Sequence, residues 1–350
     1  ALASTLKSLE LKPDNPDAHI NLGGIYKDLS QLDQALASTL KSLELKPDNN
    51  ISALNNLTSL LQTTKKNNQK EAITPIEFID ARLRELSFPG SQQSRIELIA
   101  VRDFTRQALD IAKNLDEKVF TGLSQIYCRI NEYSTMDCKG YMNFFASYNA
   151  IASRCHQCYK VQVEVESLNE LLALHLFFKT LRLGSSNIRK CIVELREEAR
   201  GLFKGLIYCS SLEESIEIKN YISRELSIKV DLAPFISIKR GCTEFSNTHK
   251  DYGDIGSGDQ LREGRKMPDE WEKLETKYLK AQSVIKDIPT LLEFNLGELL
   301  IIKNWIYYAQ AMGDLSAISE YGHVVNHNDE FKKQVMSKRK LILAQQFMDP

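Results

Sequence analysis

The chain has 350 residues, of which 43% are hydrophobic and 26% are charged, a balance typical of folded proteins long enough for two or three domains. Its formal net charge of -1 provides no overall field that would attract nucleic acid or acidic lipid. Because no apolar run reaches the roughly 18 to 20 residues that cross a bilayer, the sequence predicts no membrane span.

The N-terminal segment contains a direct repeat. Residues 1–15 (ALASTLKSLELKPDN) recur letter for letter at 35–49, which is 34 residues later. A period of this length predicts pairs of helices that stack in a row. Gly23 and Ala35 lack bulk where two such helices touch, and Pro47 is expected to end the second helix. Residues 52–62 repeat part of the first helix, and we expect them to cap the stack.

Five residues carry a resemblance to the tetratricopeptide repeat family: Leu22, Gly23, Tyr26, Ala35 and Pro47. The resemblance covers residues 1–62 and implies a helical array whose concave face binds a peptide or helix of a partner protein. The groove positions of the family fall on one helix of this chain, at Asp17, Ile20, Gly24, Lys27 and Asp28. A spacer or dimerisation role is the alternative. Because such units need neighbours to bury their apolar faces, we expect the array to extend upstream of residue 1.

A polar run without apolar periodicity, residues 63–72, is predicted to join the array to a larger body. Helices are predicted after it at 75–86, 94–112, 116–129 and 138–152. They would form a helical connector that reaches residue 153. Cys128 and Cys138 lie in this connector, and we interpret both as small buried hydrophobic residues.

The apolar period changes to two at Tyr159, which indicates a sheet. The predicted order is strand 159–165, helix 168–183, strand 191–196, strand 205–209, helix 212–226 and strand 235–240. This order is typical of a ferredoxin-like βαββαβ domain, here over residues 154–245, with strand order 4-1-3-2 and both helices on one face. We expect Ser211 to cap the second helix.

The other face of the predicted sheet carries charges of both signs. Its residues are Lys160, Gln162, Glu164, Glu194, Arg196 and Lys239. Domains of this topology that bind RNA place aromatic side chains there to stack on bases. The sequence therefore disfavours nucleic acid as a partner, and a face covered by neighbouring helices is preferred.

The same topology brings cysteines to one edge of the sheet. Cys155 and Cys158 precede the first strand, Cys209 ends the third, and Cys242 follows the fourth; Cys191 opens the most distant strand. Four thiolates at Cys155, Cys158, Cys209 and Cys242 would suit zinc or an iron–sulfur cluster, with His156 as an alternative ligand. A single CxxC is a weak signal, so core packing, solvated thiols and a redox pair stay open.

The odd number of cysteines, seven, and the lack of a disulfide-scaffold composition favour reduced thiols or metal ligands in a cytoplasmic protein. The glycine-rich residues 251–264 match neither a phosphate-binding nor a calcium-binding motif, which predicts a loop. Helices are predicted at 269–286 and 296–312, the second with an N-terminal capping box of Asn295 and Glu298. No set of catalytic side chains can be assembled.

Together these patterns predict an α+β fold with four parts: a repeat array at 1–62, a connector at 63–153, a ferredoxin-like domain at 154–245, and a loop with C-terminal helices at 246–350. The predicted function is that of a scaffold that binds a protein or peptide. The alternative is a metal-binding enzyme or redox protein that uses the cysteines at the edge of the sheet.

Overall fold

The computed structural model describes residues 1–46, 50–61, 75–90, 95–113, 115, 125–130, 138–184, 187–197, 199–256, 261, 267–279, 293–326 and 328–346. Its helices are α1 (Leu2–Leu11), α2 (Pro16–Asp28), α3 (Leu32–Leu45), α4 (Ile51–Leu61), α5 (Pro75–Arg84), α6 (Leu98–Ile111), α7 (Cys138–Tyr148), α8 (Ser153–His156), α9 (Leu168–Thr180), α10 (Leu212–Lys229), α11 (Asp269–Leu279), α12 (Leu296–Met312), α13 (Leu315–Tyr321) and α14 (Asp329–Gln346). The strands are β1 (Tyr127–Ile130), β2 (Tyr159–Val165), β3 (Arg189–Val193), β4 (Phe203–Cys209) and β5 (Phe235–Arg240).

The repeat forms packed helices as predicted. The side chain of Asn15 accepts hydrogen bonds from the N–H groups of Asp17 and Ala18 and so caps α2. Helix α2 packs against both α3 and α4. A Cβ atom built on Gly23 would lie 2.6 Å from Oγ1 of Thr39, so the predicted close approach of α2 and α3 at this glycine is confirmed. Pro47, the predicted helix end, lies outside the described residues.

Gly23 and the adjacent Gly24 give a matched test of this packing. Gly23→Ala should lower the free energy of unfolding by about 1 to 3 kcal/mol, because the added methyl group has no room beside α3. Gly24→Ala should leave it unchanged or raise it by up to about 1 kcal/mol, because alanine is the better helix former. Urea denaturation of the full chain measures both. Equal effects of the two substitutions would contradict the packing at Gly23.

The sheet is antiparallel and has the order β1-β3-β4-β2-β5. Its last four strands, read from the other edge as β5-β2-β4-β3, follow the predicted order 4-1-3-2. Strand β1 adds a fifth strand beside β3. The prediction of a helix over 116–129 is therefore wrong at its end. Cys128 and Ile130 are buried while Tyr127 is exposed, an alternation of period two that suits an edge strand.

Two further strands begin earlier than predicted. Strand β3 spans 189–193 rather than 191–196, and β4 spans 203–209 rather than 205–209. Arg189 is only 1% exposed, and its guanidinium donates to the backbone oxygens of Phe178 and Leu181. These bonds to backbone oxygens allow a charged residue to lie inside a buried strand.

Helix ends also differ from their predictions. Helix α7 ends at Tyr148, four residues early, where Asn149 adopts a positive φ of 51°. Helix α11 is described to residue 279, and the rest of its predicted span lies outside the described residues. Ser211 and the Asn295–Glu298 capping box occupy their predicted places at the starts of α10 and α12. Helices α13 and α14 were not predicted.

One hydrophobic core joins the array to the body. It contains Leu57 and Leu61 of α4, Val161 and Val163 of β2, and Trp305 of α12. A second, smaller cluster, whose buried members include Phe144, Cys155, Phe245 and Tyr252, lies at one end of the sheet. The last helix of the array is thus packed into the same core as the sheet.

Three of the six residues on the predicted charged face are buried, Glu164 and Lys239 are half-buried, and Arg196 is exposed. Lys160, Gln162 and Glu194 are at most 5% exposed. Within the described ranges, no helix combines the length and the apolar character needed to cross a membrane.

Candidate functional site

The predicted groove residues lie along α2. Asp17 and Asp28 are exposed, while Ile20 is half-buried and packs against the main core. The ammonium of Lys27 donates to Oγ of Ser59 in α4 at 2.6 Å, which places it between the two helices. Apart from the backbone of its own helix, nothing in the described part of the chain lies within 4 Å of where a Cβ of Gly24 would stand. The strip between α2 and α4 is therefore open at Gly24 and charged at both ends.

The seven cysteines all lie in the described part of the chain, and no disulfide joins any of them. Cys155 lies in α8, and Cys158 directly precedes β2; both are buried. Cys209, at the end of β4, is also buried, whereas Cys242, two residues after β5, is half-buried. Cys128 is buried as predicted, but Cys138 at the start of α7 is only partly so.

Burial and the charges of neighbouring thiols raise the pKa of three cysteines in this region. Burial is the largest cause that raises the pKa of Cys155, followed by the charges of Cys242, Cys158 and Cys138. Burial and then Cys242 and Cys138 raise the pKa of Cys158 to about 12. Burial, Glu244 and Cys138 raise that of Cys242 to about 11. We call Cys138, Cys155, Cys158 and Cys242 the thiol cluster.

Cys209, a member of the predicted metal site, lies differently. It pairs with Tyr159 in the sheet, and both belong to the same face as Val161 and Ile207. Its pKa is raised by burial first, then by Glu214 and by Cys158. Among the thiols, Cys158 is the one whose charge raises the pKa of Cys209. Metal binding at Cys155, Cys158, Cys209 and Cys242 stays a prediction. Among the described residues, no group of three or more His, Cys, Asp or Glu side chains could hold a metal ion.

Sequence reasoning interpreted Cys138 as a core residue and did not connect it with the other thiols. It is 17 positions before Cys155, and no local spacing connects the two. The signal that points to it is the aromatic run that follows, because Phe144 and Phe145 pack in the second cluster with Cys155 and Cys242. The ring of Phe145 lies 4.6 Å from that of Phe245.

Two buried cations, Lys160 and Arg240, lie beside the backbone next to Cys242 and Cys155. The ammonium of Lys160 donates to the backbone oxygen of Gly241 at 3.1 Å, and burial lowers the pKa of Lys160 to about 8 although Glu244 and Cys242 oppose that shift. The guanidinium of Arg240 donates to the backbone oxygen of His156 at 3.0 Å and lies 4.5 Å from the ring centre of Tyr159. Charges of both signs therefore lie near the thiols, since the carboxylate of Glu244 raises the pKa of Cys242 while Lys160 and Arg240 oppose the raised pKa of Cys158.

A cavity of about 470 Å³ opens beside the thiol cluster. Its walls include His156, Arg240, His249, Tyr252 and Trp271. The ring of His249 lies 4.9 Å from that of Trp271 and 6.1 Å from that of Phe145. The cavity and the second hydrophobic cluster thus share their aromatic side chains.

Comparison with protein families gives one match. Residues 5–37 match the family model described as tetratricopeptide repeat. Comparison with curated proteins found no match, and comparison with solved structures found none either. The match falls on α1, α2 and the start of α3, so the N-terminal segment of this chain is a tetratricopeptide repeat segment.

Proposed function

We propose that the chain is a protein-interaction scaffold whose repeat segment binds a peptide or helix of a partner protein along α2 and α4. The observation that carries this proposal is the tetratricopeptide match at residues 5–37, since arrays of this family serve as surfaces for other proteins. The open strip at Gly24 supports it, because a partner chain can approach the backbone there.

The repeat array is packed against the sheet domain, and this determines where a bound partner would lie. Leu57 and Leu61 of α4 belong to the same core as the strands. A partner bound along α2 and α4 would therefore be held at a fixed position relative to the sheet. We infer that the array presents its partner to the body rather than acting as a detached tether.

Two finer assignments belong to this proposal. We place β2 to β5, with α9 and α10, in the ferredoxin-like class, which their order and antiparallel pairing support. We propose a cytoplasmic location, which the unpaired state of all seven cysteines supports.

Asp17→Lys should weaken binding at least tenfold, a change of about 1.4 kcal/mol. The binder would be selected by panning a peptide display library against the full chain, and its affinity measured by fluorescence polarisation. Asp33→Lys is the matched control: Asp33 is also exposed in the first turn of its helix, but in α3. Both substitutions carry the same cost against the helix dipole, about 0.3 to 1 kcal/mol.

Peptides that bind equally well to wild type and to the Asp17→Lys chain would contradict a site on α2. A separate variant, Gly24→Gln, tests the shape of the site rather than its charge, because the uncharged glutamine side chain would fill the open strip between α2 and α4. Loss of binding in Gly24→Gln, with the unfolding midpoint unchanged, is the result expected for a groove at this position.

A further inference from the structure

Arg240, the last residue of β5, is a buried cation that is only 3% exposed. Nε of its guanidinium donates to the backbone oxygen of Tyr252 at 3.1 Å, and Nη1 donates to the backbone oxygen of His156 at 3.0 Å. Its Cζ atom lies 4.5 Å from the ring centre of Tyr159 and 5.7 Å from that of Tyr252. These contacts fix the orientation of the guanidinium in the absence of any ligand.

This guanidinium has no counter-charge in the described part of the chain. No ion pair there includes Arg240, and its two hydrogen-bond acceptors are neutral backbone oxygens. A guanidinium carries more N–H groups than these two bonds use. Buried charges are normally paired, as Arg84 is with Asp80 at 2.6 Å. An anion bound from outside the chain would supply the partner that Arg240 lacks among these residues.

The cavity of about 470 Å³ that Arg240 lines has room for such a ligand, since small-molecule sites typically measure about 300 to 1,000 Å³. Its walls are largely aromatic. The ring of His156 lies 6.2 Å from that of Trp271, and the ring of His249 lies 4.9 Å from the same indole. The hydroxyl of Tyr252 donates to the backbone oxygen of Cys155 at 2.9 Å, which holds that wall in place. Walls of this kind favour a planar ring.

The charges on the walls favour a ligand with a single negative charge. Besides the two histidines, the walls carry two positive side chains, Arg240 and Lys250, and one negative side chain, Asp251, which leaves a net charge of +1. Lys250 and Asp251 are exposed, so Arg240 is the buried charge among the three. A carboxylate matches it, because it carries one charge and binds the guanidinium fork in its plane. A phosphate monoester carries a charge of about -1.5 to -2, more than these walls offset.

We propose that this cavity binds an aromatic carboxylate, a small molecule with one or two planar rings and a single carboxylate group. The carboxylate accepts hydrogen bonds from the remaining N–H groups of Arg240, and the ring packs against Trp271 and His249. The cavity shares no lining residue with the strip between α2 and α4, so this site is independent of the scaffold function.

Titration calorimetry of the full wild-type chain tests the chemistry of the ligand. Indole-3-carboxylate should bind with a Kd below about 1 mM. The neutral 3-acetylindole has the same size but no charge and should bind at least about tenfold more weakly, because it leaves the guanidinium unpaired. Equal affinities for these two probes would overturn the proposal, as would the absence of indole-3-carboxylate binding up to about 10 mM. Tighter binding of phenyl phosphate than of benzoate would also overturn it.

Substitutions test where the ligand lies. Arg240→Met removes the guanidinium but keeps much of its apolar stem, and it should weaken binding of indole-3-carboxylate at least about tenfold. Arg224→Met is the matched control and should leave the affinity unchanged: Arg224 also lies over a tyrosine ring, 5.6 Å from that of Tyr221, but it does not line the cavity. Equal affinities of the Arg224→Met and Arg240→Met chains would contradict the site.

A further variant leaves Arg240 and its backbone bonds in place. Trp271 is half-buried in the cavity wall, so Trp271→Leu removes the ring contact with little effect on the core. It should weaken binding of indole-3-carboxylate at least about threefold, the scale of an aromatic pair. Unchanged affinity in Trp271→Leu, with the circular dichroism spectrum of wild type, would place the ligand elsewhere and overturn the assignment.

Discussion

Lys179→Met should lower the free energy of unfolding at pH 7 by about 3 to 5 kcal/mol, the cost of leaving a buried charge without its partner. The ammonium of Lys179 lies 2.6 Å from Oε1 of Glu298, and both side chains are at most 4% exposed. Methionine keeps most of the apolar stem of lysine but removes the charge. Nε2 of His175 lies 2.9 Å from the same oxygen. Burial lowers the pKa of His175, so its neutral ring does not replace the ammonium.

The control is the same substitution at an exposed ion pair. Lys41 and Glu44 are 3.0 Å apart, with side chains 42% and 69% exposed. Lys41→Met should change the free energy of unfolding by less than about 1 kcal/mol. Adding Glu298→Gln to Lys179→Met should recover part of the loss, because position 298 then carries no unpaired buried charge. Equal losses at positions 41 and 179 would show that burial of the pair is not the cause.

Acid should reduce the difference in free energy of unfolding between wild type and Lys179→Met. Burial would raise the pKa of Glu298, but the charge of Lys179 and the hydrogen bond from His175 outweigh it and lower the pKa from 4.5 to about 2. A carboxylate with a depressed folded-state pKa contributes stability that is complete above the unfolded value and is lost as the pH falls toward the folded one. Wild type therefore loses this contribution between about pH 4.5 and 2.

In Lys179→Met the carboxylate of Glu298 has lost its cation. Protonation of Glu298 in acid removes this unpaired buried charge and so raises the free energy of unfolding of the variant. Urea denaturation at pH 7 and pH 4 should show the gap between the two chains narrowing. A gap that stays constant with pH would mean that the loss comes from packing of the side chain rather than from the charge of Glu298.

Local sequence patterns were sufficient to predict elements that are stabilised mainly by their own residues. Strands β2 and β5 begin and end where the alternation of side chains predicts. The capping box of α12 forms because Asn295 and Glu298 are three residues apart, a spacing at which side chain and backbone meet without help from the rest of the fold.

Elements that depend on distant partners could not be predicted in this way. The charged start of β3 is stable only because Arg189 reaches backbone oxygens at the end of α9 and because Lys190 lies 5.2 Å from the ring centres of both Tyr127 and Tyr208. Strand β1 has four residues and gains its bonds from β3 alone within the described sheet. Neither contact leaves a periodic signal in the sequence.

The candidate site divides in the same manner. The CxxC turn and the position of Cys242 after β5 follow from local order and strand pairing. Which face each thiol joins depends on strand register, and the position of α7, which begins at Cys138, depends on how Phe145 packs on Phe245. A topology diagram shows an edge of the sheet but not the face that each side chain joins.

Arg84→Met should also lower the free energy of unfolding by about 3 to 5 kcal/mol. The side chain of Arg84 is 2% exposed, and its Nε donates to Asp80 at 2.6 Å. Burial raises the pKa of Asp80, and the charge of Arg84 opposes that shift. Without the guanidinium, the carboxyl of Asp80 would keep its bond from the N–H of Leu296 at 2.8 Å but lose its counter-charge.

Arg82→Met is the control, because Arg82 is exposed on the same helix two residues away. It should change stability by no more than about 0.5 kcal/mol. Arg84→Met combined with Asp80→Asn should be more stable than Arg84→Met, since the double variant buries no unpaired charge. If Arg82→Met and Arg84→Met unfold at the same urea concentration, the buried ion pair of Arg84 and Asp80 does not contribute to stability.

Arg84 also connects the array to the body, so we expect it to make the two unfold together. Its Nη2 donates at 2.7 Å to the backbone oxygen of Leu61, one of the last carbonyls of α4, which have no partner within the helix. One residue thus ties the end of the array to α5 and, through Asp80, to the start of α12. In Arg84→Met, hydrogen exchange should therefore show lower protection than in wild type both in α4 and in the first turn of α12. Loss of protection in α4 with α12 unchanged would mean that the array and the body are joined by the hydrophobic core and not by this buried pair.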